Sequence, residues 1–309
     1  MAKEKVKWGD RRDGKRVKAP GLQTVMTALF PNRTDCEVYL QDTIDATNLL
    51  AYLEKKNEGR TEDKMTIFHC MITALARMLV ERPLMNRFIQ GYRIYERNEI
   101  SLSFVAKRRF TDGAEETLMY FIPEMTDTVN EISKKIIGDV KEARKSEHAT
   151  GGIDELLDKF AALPRPIFAA SIRVIRWMDF WGVNPKFLTD GDPNYSSILV
   201  SNLGSIKCPS VYHHLNNYGT NSIMVTIGTL HKEEILMEDG HKEVRDVIDV
   251  GATIDERIGD GFYFGRSLKL LKHICDNPEI LEKPLNEPSG FDYKSFTKKT
   301  TVYKKVHGF

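Results

Sequence analysis

A segment near the C-terminal end, Asp255-Glu256-Arg257-Ile258-Gly259-Asp260-Gly261, carries the groups best suited to chemistry. Glu256 is a carboxylate that could act as a general base. Its ordinary pKa of ~4.3 makes it a base about two units weaker than histidine unless burial raises that pKa. Asp260 has a charge that favours the start of a following helix, and Gly261 permits a close approach that a side chain would block. The segment therefore combines a candidate base with residues suited to a turn ahead of a helix.

The adjacent imidazoles of His213 and His214 are the other candidates for a base, because histidine titrates near pH ~6.5. A polar pair on a strand or a surface loop is the alternative interpretation of this dipeptide. His69 falls on an apolar helical pattern, where a hydrogen-bonded core residue is expected. No segment has the three or four converging ligands of a metal site, so we expect no metal.

The composition excludes several classes of partner. Of the 309 residues, 41% are hydrophobic and 29% are charged, which is typical of a soluble globular protein. A net charge of +1 gives no electrostatic reason to expect a nucleic acid or a membrane surface. No apolar run approaches the ~20 residues of a membrane helix, and the N-terminus lacks the apolar core of a signal peptide. The cysteines are too scattered for a zinc site or a disulfide framework, which predicts a reducing, cytoplasmic location.

Basic residues concentrate at both ends of the chain, and these ends bound the predicted domains. Residues 1–20 are predicted to form a basic N-terminal arm, residues 21–284 a core domain, and residues 285–309 a C-terminal extension. Each end is either a solvated arm or a contact with a neighbouring subunit.

The elements that must position these groups can be read from hydrophobic periodicity. Helices are predicted at 44–53, 66–80, 128–144, 153–163, 167–182 and 262–275, with Asp45 capping the first and Thr126 or Asp127 the third. Strands are predicted at 36–41, 92–95, 100–106, 117–122, 197–201, 222–228, 230–237, 242–248 and 250–254. Glu238-Asp239-Gly240 is a hairpin turn. Because strands and helices do not alternate regularly, the pattern favours the α+β class.

Three motifs follow one another along this framework. A strand and a helix containing Ile44-Asp45-Ala46-Thr47 and Leu49-Leu50 come first. Ser201-Asn202-Leu203-Gly204 comes second. The run 223–228, the hairpin and the Asp255–Gly261 turn come last. Their order resembles the catalytic cores of the 2-oxo acid dehydrogenase dihydrolipoyl acyltransferases, in the chloramphenicol acetyltransferase-like superfamily. The resemblance covers residues 20–283.

The resemblance implies a two-layer α+β sandwich that forms a homotrimer, with the active-site channel between two subunits. Coenzyme A is expected from one end of that channel and the acyl acceptor or donor from the other. In the family a histidine of the turn takes a proton from the attacking thiol or hydroxyl, and here that position holds Glu256. Ser201 matches the donor to the oxyanion, and either His213 or His214 could replace the missing base. Asp260 is expected to be structural and to pair with an N-terminal arginine, Arg11, Arg12 or Arg16.

Three functions are compatible with these residues. The first is acyl transfer between coenzyme A and a thiol, at weakened or lost activity. The second is a non-catalytic subunit that builds a trimer or a larger cage. The third is a stand-alone chloramphenicol-type acetyltransferase.

Overall fold

The larger of two sheets is the frame of the molecule. The computed structural model describes residues 10–107, 116–145, 159–237 and 239–293. In chain order the strands are β1 Gly14–Arg16, β2 Glu37–Asp45, β3 Arg87–Gln90, β4 Arg93–Arg97, β5 Leu102–Lys107, β6 Glu116–Phe121, β7 Ile198–Asn202, β8 Ile223–Leu236 and β9 Lys242–Asp255. The six-stranded sheet has the order β2-β9-β8-β7-β5-β6, and β1, β4 and β3 form a second sheet of three strands.

The central part of the large sheet is parallel and its margins are antiparallel. β7 pairs in parallel with both β5 and β8, whereas β2, β9 and β6 join by antiparallel ladders. β8 and β9 form a long hairpin with a register shift between Ile227 and Leu230. This register puts Ser201 opposite Thr226, Thr226 opposite Gly251, and Asp255 opposite Glu37.

Along the described chain the α-helices are α1 Gly21–Leu29, α2 Thr47–Lys56, α3 Ile67–Glu81, α4 Val129–Lys145, α5 Arg165–Trp181 and α6 Gly261–Asp276. Four of them are amphipathic helices that cover one face of the large sheet. α2, α3, α4 and α6 bury apolar stripes against the β5, β7, β8 and β9 side chains in a single hydrophobic core. α3 lies at the centre of this layer and is buried over most of its length. The predicted α+β, two-layer sandwich is therefore confirmed.

Several helix starts differ from the sequence prediction by one to three residues. Ile44 and Asp45 belong to β2, and the Asp45 carboxylate accepts the backbone N–H of Thr47 at 2.9 Å, just ahead of α2. At α4 the capping hydroxyl belongs to Thr128, which accepts the N–H of Asn130 at 3.2 Å. Asp127 instead forms an ion pair with Lys135 at 2.7 Å. The predicted helix at 153–163 lies largely outside the described residues.

The two ends of the predicted core carry structure of their own. β1 pairs with β4, with Gly14 opposite Arg97, so this part of the basic N-terminal segment belongs to the second sheet. At the other end, Leu285 is fully buried and its N–H donates to Asp127 O at 3.1 Å. Phe291 is also buried in the core. The domain boundaries at residues 20 and 284 stay predictions.

The described part of the chain has no helix that is long and apolar enough to cross a membrane. All four cysteines are free thiols. Across the same ranges, no group of three or more histidine, cysteine or acidic side chains is arranged to hold a metal ion.

Candidate active site

The turn that carries Glu256 follows directly from the last residue of β9. Residues 256–258 form one turn of 3₁₀ helix, and Asp255 caps it by accepting the N–H of Arg257 at 3.1 Å. The N–H of Glu256 donates to Cys36 O at 2.9 Å, which ties the turn to the start of β2. The turn is therefore held by one hydrogen bond to the backbone of the neighbouring strand and by one to the Asp255 side chain.

A buried ion pair between Arg257 and Asp255 stabilises the turn. The Arg257 guanidinium donates Nε to Asp255 Oδ1 at 2.8 Å and Nη2 to Asp255 Oδ2 at 2.6 Å, a two-point contact. Its third nitrogen, Nη1, donates to Phe30 O at 2.6 Å. Burial lowers the pKa of Arg257, but the hydrogen bonds and charge of Asp255 more than offset this, so the pKa is raised overall. The guanidinium stays charged and fixes the backbone on either side of Glu256.

Glu256 itself is exposed. Within the described residues its carboxylate has neither a hydrogen-bond nor an ion-pair partner. The side chain thus projects from an anchored backbone and is free to meet a ligand or a neighbouring subunit.

Asp260 has a structural role at the start of α6. Its carboxylate accepts the N–H of Tyr263 at 2.7 Å, so it is the N-cap of that helix. The expected pairing with an N-terminal arginine is not formed within the protomer. Arg11 instead pairs with Asp13 and Asp179, at 2.8 and 2.9 Å. Over the described ranges, Arg12 and Arg16 have no contact with Asp260 either.

Ser201 lies near the end of β7, half-buried, and begins the Ser-Asn-Leu-Gly turn. Asn202 leads into a 3₁₀ turn at 203–206. Gly204 packs so closely on β8 that an added Cβ would stand 2.6 Å from Gly228 O. A side chain at position 204 would therefore push this turn off the sheet, which explains the glycine of the motif.

His213 and His214 lie on a segment, residues 209–215, that crosses the sheet on the face opposite the helices. Thr226 Oγ1 donates to Val211 O at 2.5 Å, and the Tyr212 hydroxyl bonds Gln41 Oε1 at 3.1 Å. The N–H of Leu215 then donates to Glu37 Oε1 at 2.5 Å. Since Glu37 is opposite Asp255, the two histidines lie toward the same end of the sheet as Glu256.

Ser201 lies at a different level of the sheet from Glu256. It is in register with Thr226 and Gly251, and Gly251 precedes Glu256 by five residues of β9. At ~3.3 Å per residue this is a separation of roughly 17 Å along the strand direction, with two strand spacings added across the sheet. One protomer therefore does not bring the two groups to the same reacting atom.

Sequence comparison identifies the family of this fold and turn. Residues 14–113 and 186–282 match the catalytic domain of the 2-oxoacid dehydrogenases acyltransferase family. The chain belongs to this family. The match includes β7, the Ser-Asn-Leu-Gly turn and the Glu256 turn, whereas α4 and α5 fall between its two parts.

One curated relative is a lipoamide acyltransferase component of a branched-chain alpha-keto acid dehydrogenase complex from Bacillus subtilis. It is 23% identical over 242 residues, and the match spans 76% of this chain but only 45% of the relative. The chain thus corresponds to less than half of that protein's length.

Two solved structures have the same fold. The cubic core of a pyruvate dehydrogenase multienzyme complex matches with a TM-score of 0.57 and 12% identity, over 87% of this chain and 94% of the other. An Azotobacter vinelandii dihydrolipoamide acetyltransferase matches with a TM-score of 0.56 and 13% identity over the same shares. That protein was investigated for the roles of a serine, a histidine and an asparagine in its mechanism, the last two being four positions apart.

Sequence reasoning missed the Asp255–Arg257 pair as part of the site. Both residues are polar and both are almost fully buried, at 0% and 5% exposure. The Asp-x-Arg spacing could have indicated this ion pair. Acidic and basic residues two positions apart, however, usually form an ion pair that is exposed to solvent.

Proposed function

We propose that this chain forms a homotrimeric core of the dihydrolipoyl acyltransferase type that transfers acyl groups between coenzyme A and a thiol, with Glu256 in the position of the base. The anchored turn of residues 255–260 carries the proposal. It ends a strand, it is held by a buried ion pair, and it presents a carboxylate that has no partner in the described chain.

The spacing of the turn supports the assignment. Glu256 and Asp260 are four positions apart, as are the histidine and the asparagine investigated in the Azotobacter vinelandii enzyme. Asp260 here is a helix cap, which keeps the following α6 in line with the turn. The family match also favours this function over a stand-alone chloramphenicol-type acetyltransferase.

The separation of Ser201 from Glu256 supports a site shared by two protomers. Groups roughly 17 Å apart along one sheet can act on one thioester only if a second copy supplies one of them. A surface suited to such contact lies beside the turn. α1 exposes Leu22, Val25 and Leu29 on one face, and Gln23 of the same helix donates to Arg257 O at 3.2 Å. An apolar stripe of this kind is typical of a subunit interface.

The proposed reaction exchanges one C–S bond for another. The Glu256 carboxylate takes the proton of the attacking thiol, whose sulfur adds to the thioester carbonyl carbon. Ser201 donates a hydrogen bond to the resulting oxyanion. The intermediate then expels the thiolate of the donor, which recovers the proton from Glu256. Since a carboxylate is a weaker base than an imidazole by about two pKa units, this transfer is slow.

The test is a thioester-exchange assay with acyl-coenzyme A and dihydrolipoamide. We expect weak activity from the natural chain, an increase on the order of 10²-fold in Glu256→His, and loss in Glu256→Gln, which keeps the shape without the base. Ser201→Ala should lower the rate of both active forms. Equal rates in all of these proteins at the background level would exclude the acyl-transfer proposal.

A second candidate function is a non-catalytic trimer or cage subunit. One observation favours it. The ion pair and the hydrogen bonds that hold the turn are present, whereas Glu256 stands where the family has its histidine. Light scattering distinguishes the candidates further. A trimer without exchange activity even in Glu256→His supports the structural role, and a monomer at micromolar concentration contradicts both.

A further inference from the structure

A polar cavity of about 220 Å³ lies beside α1 and α5, behind the turn that carries Glu256. Arg33, Gln90, Tyr92, Arg176 and Asp179 line it, and Arg257 forms part of its wall. Since a water molecule takes about 30 Å³ in the liquid, the cavity has room for several waters or for one small organic molecule.

Arg33 is the central polar residue of this cavity. It is 3% exposed, and its two Nη atoms donate to backbone and amide oxygens: Nη1 to Asn216 O at 3.3 Å, and Nη2 to Ile89 O at 2.8 Å and Gln90 Oε1 at 3.1 Å. Its buried Nε has no hydrogen-bond partner. Burial lowers the pKa of Arg33 to about 10. A buried guanidinium held only by neutral acceptors leaves a positive charge that an anion would balance.

The carboxylates near Arg33 already have hydrogen-bond and ion-pair partners. Asp179 Oδ1 accepts from Arg11 Nη1 at 2.9 Å, from Asn184 and from Tyr195, and its Oδ2 accepts from Gln90 Nε2 at 2.7 Å. Asp255 is paired with Arg257 through both oxygens. The remaining charged residue of the lining is Arg176, which is exposed and has no ion-pair partner among the described residues. The cavity therefore carries an uncompensated positive charge.

Part of the cavity wall is aromatic, and its backbone is strained at Tyr92. Tyr92 has a φ of 59°, a left-handed conformation that a bulky residue rarely adopts. Its ring packs edge-on against Phe180 with centroids 5.0 Å apart. Strain of this kind is held in place by surrounding structure and is frequent at ligand sites. Together the two rings give the cavity an apolar side beside the guanidinium.

We propose that this cavity is a binding site for a small organic carboxylate, whose charge the buried Arg33 and the Arg176 guanidinium would balance, with the Tyr92 and Phe180 rings as its apolar wall. Guanidinium groups match the planar geometry of a carboxylate. The site is separate from the acyl-transfer chemistry, because none of its donors is a reacting group in that mechanism.

The experiment is calorimetric titration of the full chain at constant ionic strength with succinate, with inorganic phosphate and with chloride. We expect saturable succinate binding with a dissociation constant on the order of 1 mM or tighter. Arg176→Gln should weaken it roughly three- to tenfold. The matched control is Arg173→Gln, which removes an exposed charge from the same helix outside the cavity and should leave the affinity unchanged.

Two further variants separate this site from alternatives. Arg33→Gln removes the buried charge, and a folded Arg33→Gln protein should lose succinate binding. Glu256→Gln should bind succinate as the natural chain does, even though acyl transfer is lost. Equal weakening in Arg173→Gln and Arg176→Gln, or binding of phosphate without succinate, would overturn the proposal.

Discussion

The buried imidazole of His69 makes the stability of this protein depend on pH. As the sequence predicted, His69 is a hydrogen-bonded core residue, 7% exposed, in the first turn of α3. The backbone N–H of Thr66 donates to its Nδ1 at 3.0 Å. Because an amide N–H is always a donor, Nδ1 carries no proton, and the ring is neutral in the folded protein. Burial lowers the pKa of His69 from 6.5 to about 4.

The size of the effect follows from linkage. A histidine with a lowered pKa in the folded state binds its proton more readily when unfolded, so protonation favours unfolding. The stability associated with neutral His69 is complete above pH 6.5 and is lost as the pH falls toward 4. Between pH 7 and pH 5 the two pKa values correspond to a loss of about 2 kcal/mol.

The matched variant is His69→Gln. Glutamine at the third helical position can accept the Thr66 N–H just as histidine does, but it does not titrate. Urea unfolding of both proteins at pH 7, 6 and 5 should therefore give a stability difference that changes by about 2 kcal/mol across the series. Other titrating groups act equally on both proteins and cancel in this difference.

A constant difference between the two proteins from pH 7 to pH 5 would refute the reasoning. It would mean that His69 is protonated in the fold or that solvent reaches its ring. An NMR titration of the imidazole gives an independent check, since the His69 signals should stay in the neutral form at pH 5.

Two further predictions concern the turn and the segment above the sheet. Asp260→Ala removes the cap of α6 and should cost about 1 kcal/mol in urea unfolding, whereas Asp260→Asn keeps an acceptor and should cost little; equal losses would contradict the capping role. Gly251→Ala would place a Cβ 2.8 Å from Thr226 Oγ1 and 2.9 Å from Val211 O, so it should destabilise by about 1–3 kcal/mol. Gly265→Ala, in open space within α6, should instead stabilise slightly, and a loss there equal to that of Gly251→Ala would point to a general effect of alanine.

Elements with a long periodic pattern could be predicted from the sequence, and short ones could not. α3 and α4 were predicted within one or two residues because their apolar stripes extend over four turns. β1 and β3 are three and four residues long and were missed, since their stability comes from pairing with β4. α1 was missed as well, because its apolar face is exposed in the protomer.

The same distinction applies to the candidate site. The motif order predicted where Ser201 and the Glu256 turn lie, since each motif ends a regular element. It did not predict that Asp255 and Arg257 neutralise each other below the turn, because such a contact depends on the burial of both side chains. The sequence predicted two strands with a break near residue 229. The structure instead has one continuous strand, β8, with a register shift at this point, and Gly228 and Thr229 interrupt its apolar pattern.

The pairing of β2 with β9 has a consequence for folding during translation. β2 leaves the ribosome early, but its ladder partner is about 200 residues further along. At roughly 5–20 residues per second, this strand waits on the order of 10–40 s before its hydrogen bonds can form. Its exposed N–H and C=O groups are open to other strands during that interval. A nascent chain of this protein is therefore expected to need a chaperone until translation has passed residue 255.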